Sequence, residues 1–426
     1  MDFYETVFIG AGLSCLAAAR AWRGDAIVLE REARPGGLCR SEQAGGFTFD
    51  RTGHLLHLRH ARTRRLVRRL LAGELAKLER DTWVYSHGVY TRYPFQSHFH
   101  GLPPEVAAEC LLGAFEAERE SEKRRAEPRR FDRWVLDRFG RGVARHFMFP
   151  YNRKLWTVPP ESLTTDWLGR FVPRPDLREI VLGALADRPE RGGYNARFDY
   201  PLRGGIESLV RALARGVRRL ECGCEVRRID LDKRELAIRG GGRLRFGRLV
   251  SSAPLPELVR MTRPLPDPVR KAASQLRCAS VYNLNLGIRD PGKRFHWVYV
   301  PEPRYAIYRF GISSNFTLSA APAGAAAVYT EWAYRGKRPD PAAMRRKVLA
   351  DMKSIGLIRS RADVLAECPL DLEHAYAIYD RHRGPAVARI RRHLEKRGVY
   401  PIGRYGRWEY SSMEDAIMQG LELAGG

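Results

Sequence analysis

The chain has 426 residues, 44% of them hydrophobic, with 74 Lys and Arg against 49 Asp and Glu and a formal charge of +25. That length exceeds what one hydrophobic core usually fills, so more than one domain is expected. The arginines are dispersed along helix-like polar faces such as Arg62, Arg64, Arg65, Arg68 and Arg69 without a nucleic-acid module, and no apolar run reaches the roughly 18 residues of a membrane span, so the charge is read as suiting a small anionic ligand.

In chain order, Thr6-Val7-Phe8-Ile9 predicts a short buried strand, followed at once by Gly10-Ala11-Gly12-Leu13-Ser14-Cys15 and the alanine-rich helix of Leu16-Ala17-Ala18-Ala19-Arg20. Gly10 serves the backbone angles of the turn. Gly12 lets the chain approach a pyrophosphate lying at the helix N-terminus, where free N–H groups and the dipole favour negative charge. Cys15 occupies the third position, where Gly or Ala is usual, and a small thiol there widens helix-to-strand packing slightly. A second strand, Ala26-Ile27-Val28-Leu29, ends in Glu30, placed to accept ribose hydroxyls. Strand, turn, helix, strand and acid in one unit predict a dinucleotide clamp. The glycine pair of Arg34-Pro35-Gly36-Gly37-Leu38-Cys39-Arg40 favours FAD over NAD, since it brings backbone N–H groups close to the phosphates and Arg40 adds a counter-charge.

His54, His57 and His60 follow in a loop, but no carboxylate or cysteine completes a ligand set, so no metal is expected. From about residue 103 to 190 the pattern is helical, broken by aromatic loops at Phe149-Pro150-Tyr151-Asn152 and Trp156-Thr157-Val158-Pro159-Pro160. The chain then returns through Tyr200-Pro201-Leu202-Arg203-Gly204-Gly205 to strands around Val226 and 249–254, read as a second pass through the nucleotide domain. Short β-prone runs from about 278 to 370 predict an antiparallel sheet that could cover a flavin. Near the end, Ser411 and Glu414 read as a capping box that starts the last helix. The seven cysteines are scattered apart from Cys222 and Cys224 and are read as reduced thiols, and the N-terminus has no basic leader pattern, so a cytoplasmic protein is expected.

Beyond the clamp, Tyr93-Pro94-Phe95-Gln96, the block from Pro150 to Trp156 continuing to Trp167-Leu168-Gly169, Tyr194 to Gly205, and Gly403 to Tyr410 resemble the UDP-galactopyranose mutases. Those enzymes belong to the wider group that includes monoamine and protoporphyrinogen oxidases. The resemblance runs nearly end to end. It implies an α/β fold: a Rossmann-like FAD-binding domain from segments 1–92, 193–270 and 396–426, an inserted helical domain over 93–192 and an antiparallel β-sheet substrate domain over 271–395. It implies FAD in reduced form, acting through N5 as a nucleophile on the anomeric carbon of a nucleotide sugar, with NAD(P)H or another reductant supplying electrons. Gly10, Gly12, Leu13, Ser14, Glu30, Arg31, Gly36, Gly37, Leu38, Arg40, His54, Val226, Arg404 and Met413 are then cofactor contacts. Tyr93, Gln96, Asn152 and Trp156 match a uridine pocket, where an indole packs on the base and amides read its edge. Arg309 with Tyr299, Tyr376 and Tyr410 matches the diphosphate site, and His54 the loop beside the flavin ring. Two positions depart from the pattern. The second diphosphate arginine is replaced by Arg170 followed by Phe171, and a phosphate-binding tyrosine by Phe316. Either Arg170 or Arg174 compensates, or the ligand is another one. The alternative carried with this reading is a FAD oxidoreductase of the amine oxidase or protoporphyrinogen oxidase type.

Overall fold

The computed structural model describes residues 1–121, 126–169, 171–188 and 196–425. Tyr194 and Arg170, both named above, lie outside the described residues.

Two sheets organise the chain. In the first, Asp2–Ile9 runs parallel between Ala26–Glu30 and Arg243–Ser251, Leu220–Cys222 continues beyond Ala26–Glu30, and Val399–Pro401 joins Arg243–Ser251 in parallel. Val226–Asp230 and Glu235–Ile238 extend it as an antiparallel edge. Residues on the central strands alternate between two cores: Val7, Ile9, Ile27, Leu29 and Leu249 face one side, and Phe8, Val28 and Val250 the other. Burial on both faces explains why these strands read as continuous apolar runs. Helix Leu13–Ala21 covers the second side, and the C-terminal helix Met413–Gly425 lies on it. Gly420 makes that contact, since a Cβ there would fall 2.2 Å from the Ser14 carbonyl oxygen.

The second sheet runs Val364–Ala377, Cys278–Arg289, Ala325–Tyr334, Arg309–Ile312, Trp297–Tyr299, Thr82–Ser86, Val89–Arg92. Neighbours are antiparallel except Trp297–Tyr299 with Thr82–Ser86. Helices Pro104–Ser121, Phe131–Val143, Phe149–Trp156 and Leu177–Leu185 pack beside it around a shared aromatic core. Lys154 fastens Phe149–Trp156 to the sheet, its Nζ donating to the carbonyls of Val300 at 2.7 Å, Glu302 at 3.1 Å and Ile307.

Three expectations are corrected. Residues 82–92, read as part of the first nucleotide segment, form edge strands of the second sheet, because Trp83 and Val84 pair across to Val298 and Tyr299. Helix Arg383–Lys396, read as part of the sheet domain, buries Ile390 and Leu394 against the first sheet. The last helix is capped one residue later than expected. Ser412 and Asp415 hydrogen bond reciprocally, backbone N–H to side chain in both directions. Glu414 turns instead to accept from the backbone N–H of Arg59 and His60 and the hydroxyl of Thr63, pinning the loop after His54.

Candidate active site

Three glycine turns meet at the C-terminal edge of the first sheet. Gly10 takes φ +90 and a Cβ there would lie 2.6 Å from Ser252 Oγ, while Gly403 takes φ +73 with a Cβ 2.3 Å from Ser14 Oγ. Both conditions exclude a side chain. The Gly36 N–H donates to the Ala11 carbonyl at 2.9 Å, which brings the second glycine pair across from the first, Gly37 facing the Gly12 Cα at 3.8 Å from an added Cβ. Glu30 accepts from the backbone N–H of Ala11 at 2.6 Å and of Glu32 at 3.0 Å, so its carboxylate sits at the strand end beside the turn. The Cys224 N–H donates to the Glu30 carbonyl, which places Val226 on the adjoining segment. Leu13 and Ser14 begin the first helix and Met413 the last, and these two N-termini adjoin the turns. Leu38 packs toward the aromatic core of the other half. Arg31 lies on the rim, 3.4 Å from Glu32.

Arg40 tests whether a dinucleotide suits this cradle. Its side chain is buried, its Nε has no partner among the described residues, and the nearest carboxylate oxygen, on Glu32, stands 3.8 Å away. Burial, then the charge of Arg51, lowers its pKa. A buried cation without a full counterion beside glycine backbone fits a bound pyrophosphate. The Nδ1 of His54 is likewise buried and without a partner. Burial pushes its pKa down to about 4, so it is neutral at physiological pH.

Beyond His54 the two sheets and the helices enclose an aromatic cage. Tyr93 stacks on Tyr299 with centroids 4.9 Å apart, Tyr151 meets Tyr299 edge-on at 5.3 Å, and Tyr376 lies 5.9 Å from Tyr410. The Arg404 guanidinium lies over both Tyr376 and Tyr410, at 5.3 and 5.0 Å. It is held by the carbonyls of Ser411 and Ala375. Arg309 enters from the sheet, its Nε and Nη2 bonded to the two carboxylate oxygens of Glu331 at 2.8 and 2.9 Å. Burial alone would lower the Arg309 pKa, but Glu331 overrides it and raises it. Burial also raises the phenols of Tyr93, Tyr151 and Tyr410, which therefore remain O–H donors.

A family model described as flavin containing amine oxidoreductase matches residues 12–425. The chain belongs to this family. Among solved structures it is similar to a reduced UDP-galactopyranose mutase at 26% identity, covering 99% of this chain and 94% of that one with a TM-score of 0.92. A putrescine oxidase bound to putrescine shares the fold at 16% identity and TM-score 0.68, over 99% of this chain and 98% of that one. So does a CLA-producing fatty acid isomerase from P. acnes, at 12% identity and TM-score 0.66, over 99% and 98%. The protein is thus a flavin-dependent enzyme of the amine oxidoreductase family, similar to UDP-galactopyranose mutase. Among the described residues no helix is long and apolar enough to cross a membrane.

Several residues named from the sequence have partners within the chain. Asn152 and Trp156, expected to read and stack on a base, satisfy each other. Trp156 Nε1 donates to Asn152 Oδ1 at 3.1 Å while Asn152 Nδ2 donates to the Met148 carbonyl at 2.8 Å, and the indole is fully buried among Trp167, Tyr376, Tyr379 and Tyr410. They form the cage wall. Gln96 donates to the Pro173 carbonyl, and its buried Oε1 has no partner among the described residues. Arg174 pairs with Glu127 at 3.1 Å and covers the ring of Trp134. Phe171 packs edge-on against Tyr410 at 4.6 Å. Phe316 lies in a separate core cluster with Phe198, Tyr200 and Tyr329. Glu331, which orients Arg309, went unremarked in the sequence. Its signal was a lone carboxylate inside the apolar run Ala325–Tyr334, where a charge survives only if paired.

Proposed function

We propose that this enzyme is a redox-neutral sugar-nucleotide mutase resembling UDP-galactopyranose mutase, interconverting pyranose and furanose forms of a nucleoside diphosphate sugar with FAD as its cofactor. The observation that carries this reading is the convergence of Arg309 and Arg404 with the phenols of Tyr299, Tyr376 and Tyr410. The field of both arginines reaches His54, and Tyr410 senses Tyr376, Arg404, Arg309 and Tyr299 together. When bound in reduced form, the flavin supplies a nucleophilic N5 for the anomeric carbon. The chain's own residues then have to bind the diphosphate and stabilise its charge as it departs. Arg309, kept protonated and aimed by Glu331, is suited to that task, and the Tyr410 phenol can donate a hydrogen bond beside it. The cage wall of Trp156, Trp167 and Tyr151 excludes water, which strengthens those contacts. Neutral His54 presents a ring nitrogen to the cofactor side without adding a proton.

The same two arginines disfavour an ammonium substrate, which argues against an amine oxidase. Phe171, an apolar ring against Tyr410, is the feature that favours the second reading, a flavin oxidoreductase taking hydride from a small organic substrate. Dithionite-reduced enzyme incubated anaerobically with UDP-galactopyranose is expected to yield the furanose isomer. Turnover only by oxidised enzyme with oxygen would instead establish the oxidoreductase. UDP at millimolar concentration is expected to perturb the flavin absorbance, and Arg309→Ala to lose roughly 2–4 kcal/mol of transition-state stabilisation in kcat/KM.

A further inference from the structure

The outer face opposite helix Arg383–Lys396 takes no part in the site described above. It is built from helices Ala61–Leu71 and Glu207–Ala214 and the turn after Arg197–Pro201, all packed on the Phe8, Val28 and Val250 side of the first sheet. Leu318 projects beside it and is 90% exposed. Its position is fixed, since the hydroxyls of Thr317 and Ser319 on either side both donate to the Leu202 carbonyl at 2.6 Å. Leu202 is itself 39% exposed. Next to it a shallow cavity of about 420 Å³ is lined by Arg203, Arg211 and Arg215, with Ser208 and Glu74. Arg211 donates to Ser208 Oγ, and none of the three arginines is held in an ion pair among the described residues. Arg68 on the neighbouring helix is partly offset by Asp199, and Glu74 is the carboxylate on the cavity rim.

Two features have to be met by one partner: arginines free to take anions, and rigid leucines free to leave water. A second copy of a chain with a formal charge of +25 would meet this face with like charge. A nucleic acid backbone would answer the arginines but offers nothing to Leu318. An anionic lipid surface offers phosphates and, just beneath them, an apolar boundary. We propose that this face docks the enzyme peripherally on anionic bilayers, Leu318 and Leu202 entering the headgroup region and Arg203, Arg211 and Arg215 pairing with lipid phosphates. This inference is independent of the sugar-nucleotide reading.

Vesicle sedimentation of the flavin-loaded enzyme tests it. Binding is expected to phosphatidylcholine vesicles containing phosphatidylglycerol, not to phosphatidylcholine alone, and should weaken as salt rises. L318D, with every arginine intact, should lower the partition coefficient about tenfold. R203E/R211E/R215E should lower it roughly a hundredfold, at roughly fivefold per arginine. R389E/R392E, on the opposite face of the first sheet, should lower it far less than the triple variant. Flavin content confirms folding of each variant, and if the triple variant fails to fold, L318D decides alone. The proposal is overturned by no binding to either vesicle, by equal binding to both, by an unchanged partition for L318D, or by equal losses from the two opposite faces. Tight binding of duplex DNA accompanied by an L318D-insensitive vesicle signal would overturn it in favour of a general polyanion surface.

Discussion

Arg309 shows how little of a residue's role lies in its own identity. As a lone arginine in Tyr308-Arg309-Phe310-Gly311 it reads equally as a surface charge, and only Glu331, 22 positions later and wholly buried, makes it an oriented cation. Glu331→Gln takes the counter-charge from a half-buried Arg309, and a loss of about 1.5–3 kcal/mol in stability is expected from urea unfolding. His54 gives a prediction of pH dependence. Its folded pKa lies at about 4 against 6.5 in the unfolded chain, so the unfolded chain binds the extra proton first. Stability is complete above the unfolded value and is lost as pH falls from about 6.5 toward 4, by up to about 3 kcal/mol. His54→Gln should flatten Tm against pH across that window. An unchanged slope would mean that His54 is not the buried neutral group.

At the scale of elements, helix Phe149–Trp156 carries the most consequence for its length. Its sequence is rich in matches to the mutases, yet its inward residues are satisfied within the protein: Asn152 by Trp156 and by its own helix, Lys154 by the carbonyls of Val300, Glu302 and Ile307. A motif match reports that a position is used and leaves open whether it touches ligand or holds the wall. Lys154 is half-buried and its pKa is pushed down to about 7 by desolvation, so its contribution is the set of hydrogen bonds it donates. Lys154→Ala should cost about 2–4 kcal/mol by leaving those carbonyls short of donors, read as a lower Tm. The last helix illustrates the limit of local capping rules. Ser411 with Glu414 and Ser412 with Asp415 are adjacent solutions of nearly the same pattern, and tertiary demand chose between them, because Glu414 was required by the backbone of Arg59 and His60.

Across the whole molecule, the cofactor cradle depends on chain ends far apart in sequence. The first and last helices touch through Gly420, directly behind Ser14 and the turns at Gly12 and Gly403. Gly420→Val should force the two helices apart, costing about 1–3 kcal/mol and releasing flavin more readily, measured as flavin retained through gel filtration. Flavin retained in full would show that the cradle tolerates movement of its outer helix. The aromatic cage is assembled in the same long-range way, with Tyr93 from one edge of the second sheet, Tyr376 from the other, Tyr151 from the helices and Tyr410 from the C-terminal segment.

The dinucleotide clamp was legible in the sequence because everything it needs is local: an apolar strand, glycines at Gly10 and Gly12, a helix start and Glu30 within one βαβ unit. The same held for the helical character of residues between about 103 and 190 and the antiparallel character of the second sheet, where hydrophobic period reports the element directly. Which strands belonged to which sheet was decided only in three dimensions, since residues 82–92 carry an ordinary β pattern whose partner, Trp297–Tyr299, is remote. So were the partners of Arg309 and Arg404, the enclosure of Trp156 and the fixed exposure of Leu318. The physical reason is common to all of them. Backbone periodicity acts over a few residues, whereas charge pairing, burial and the satisfaction of buried polar atoms are settled between segments that meet only when the chain is folded.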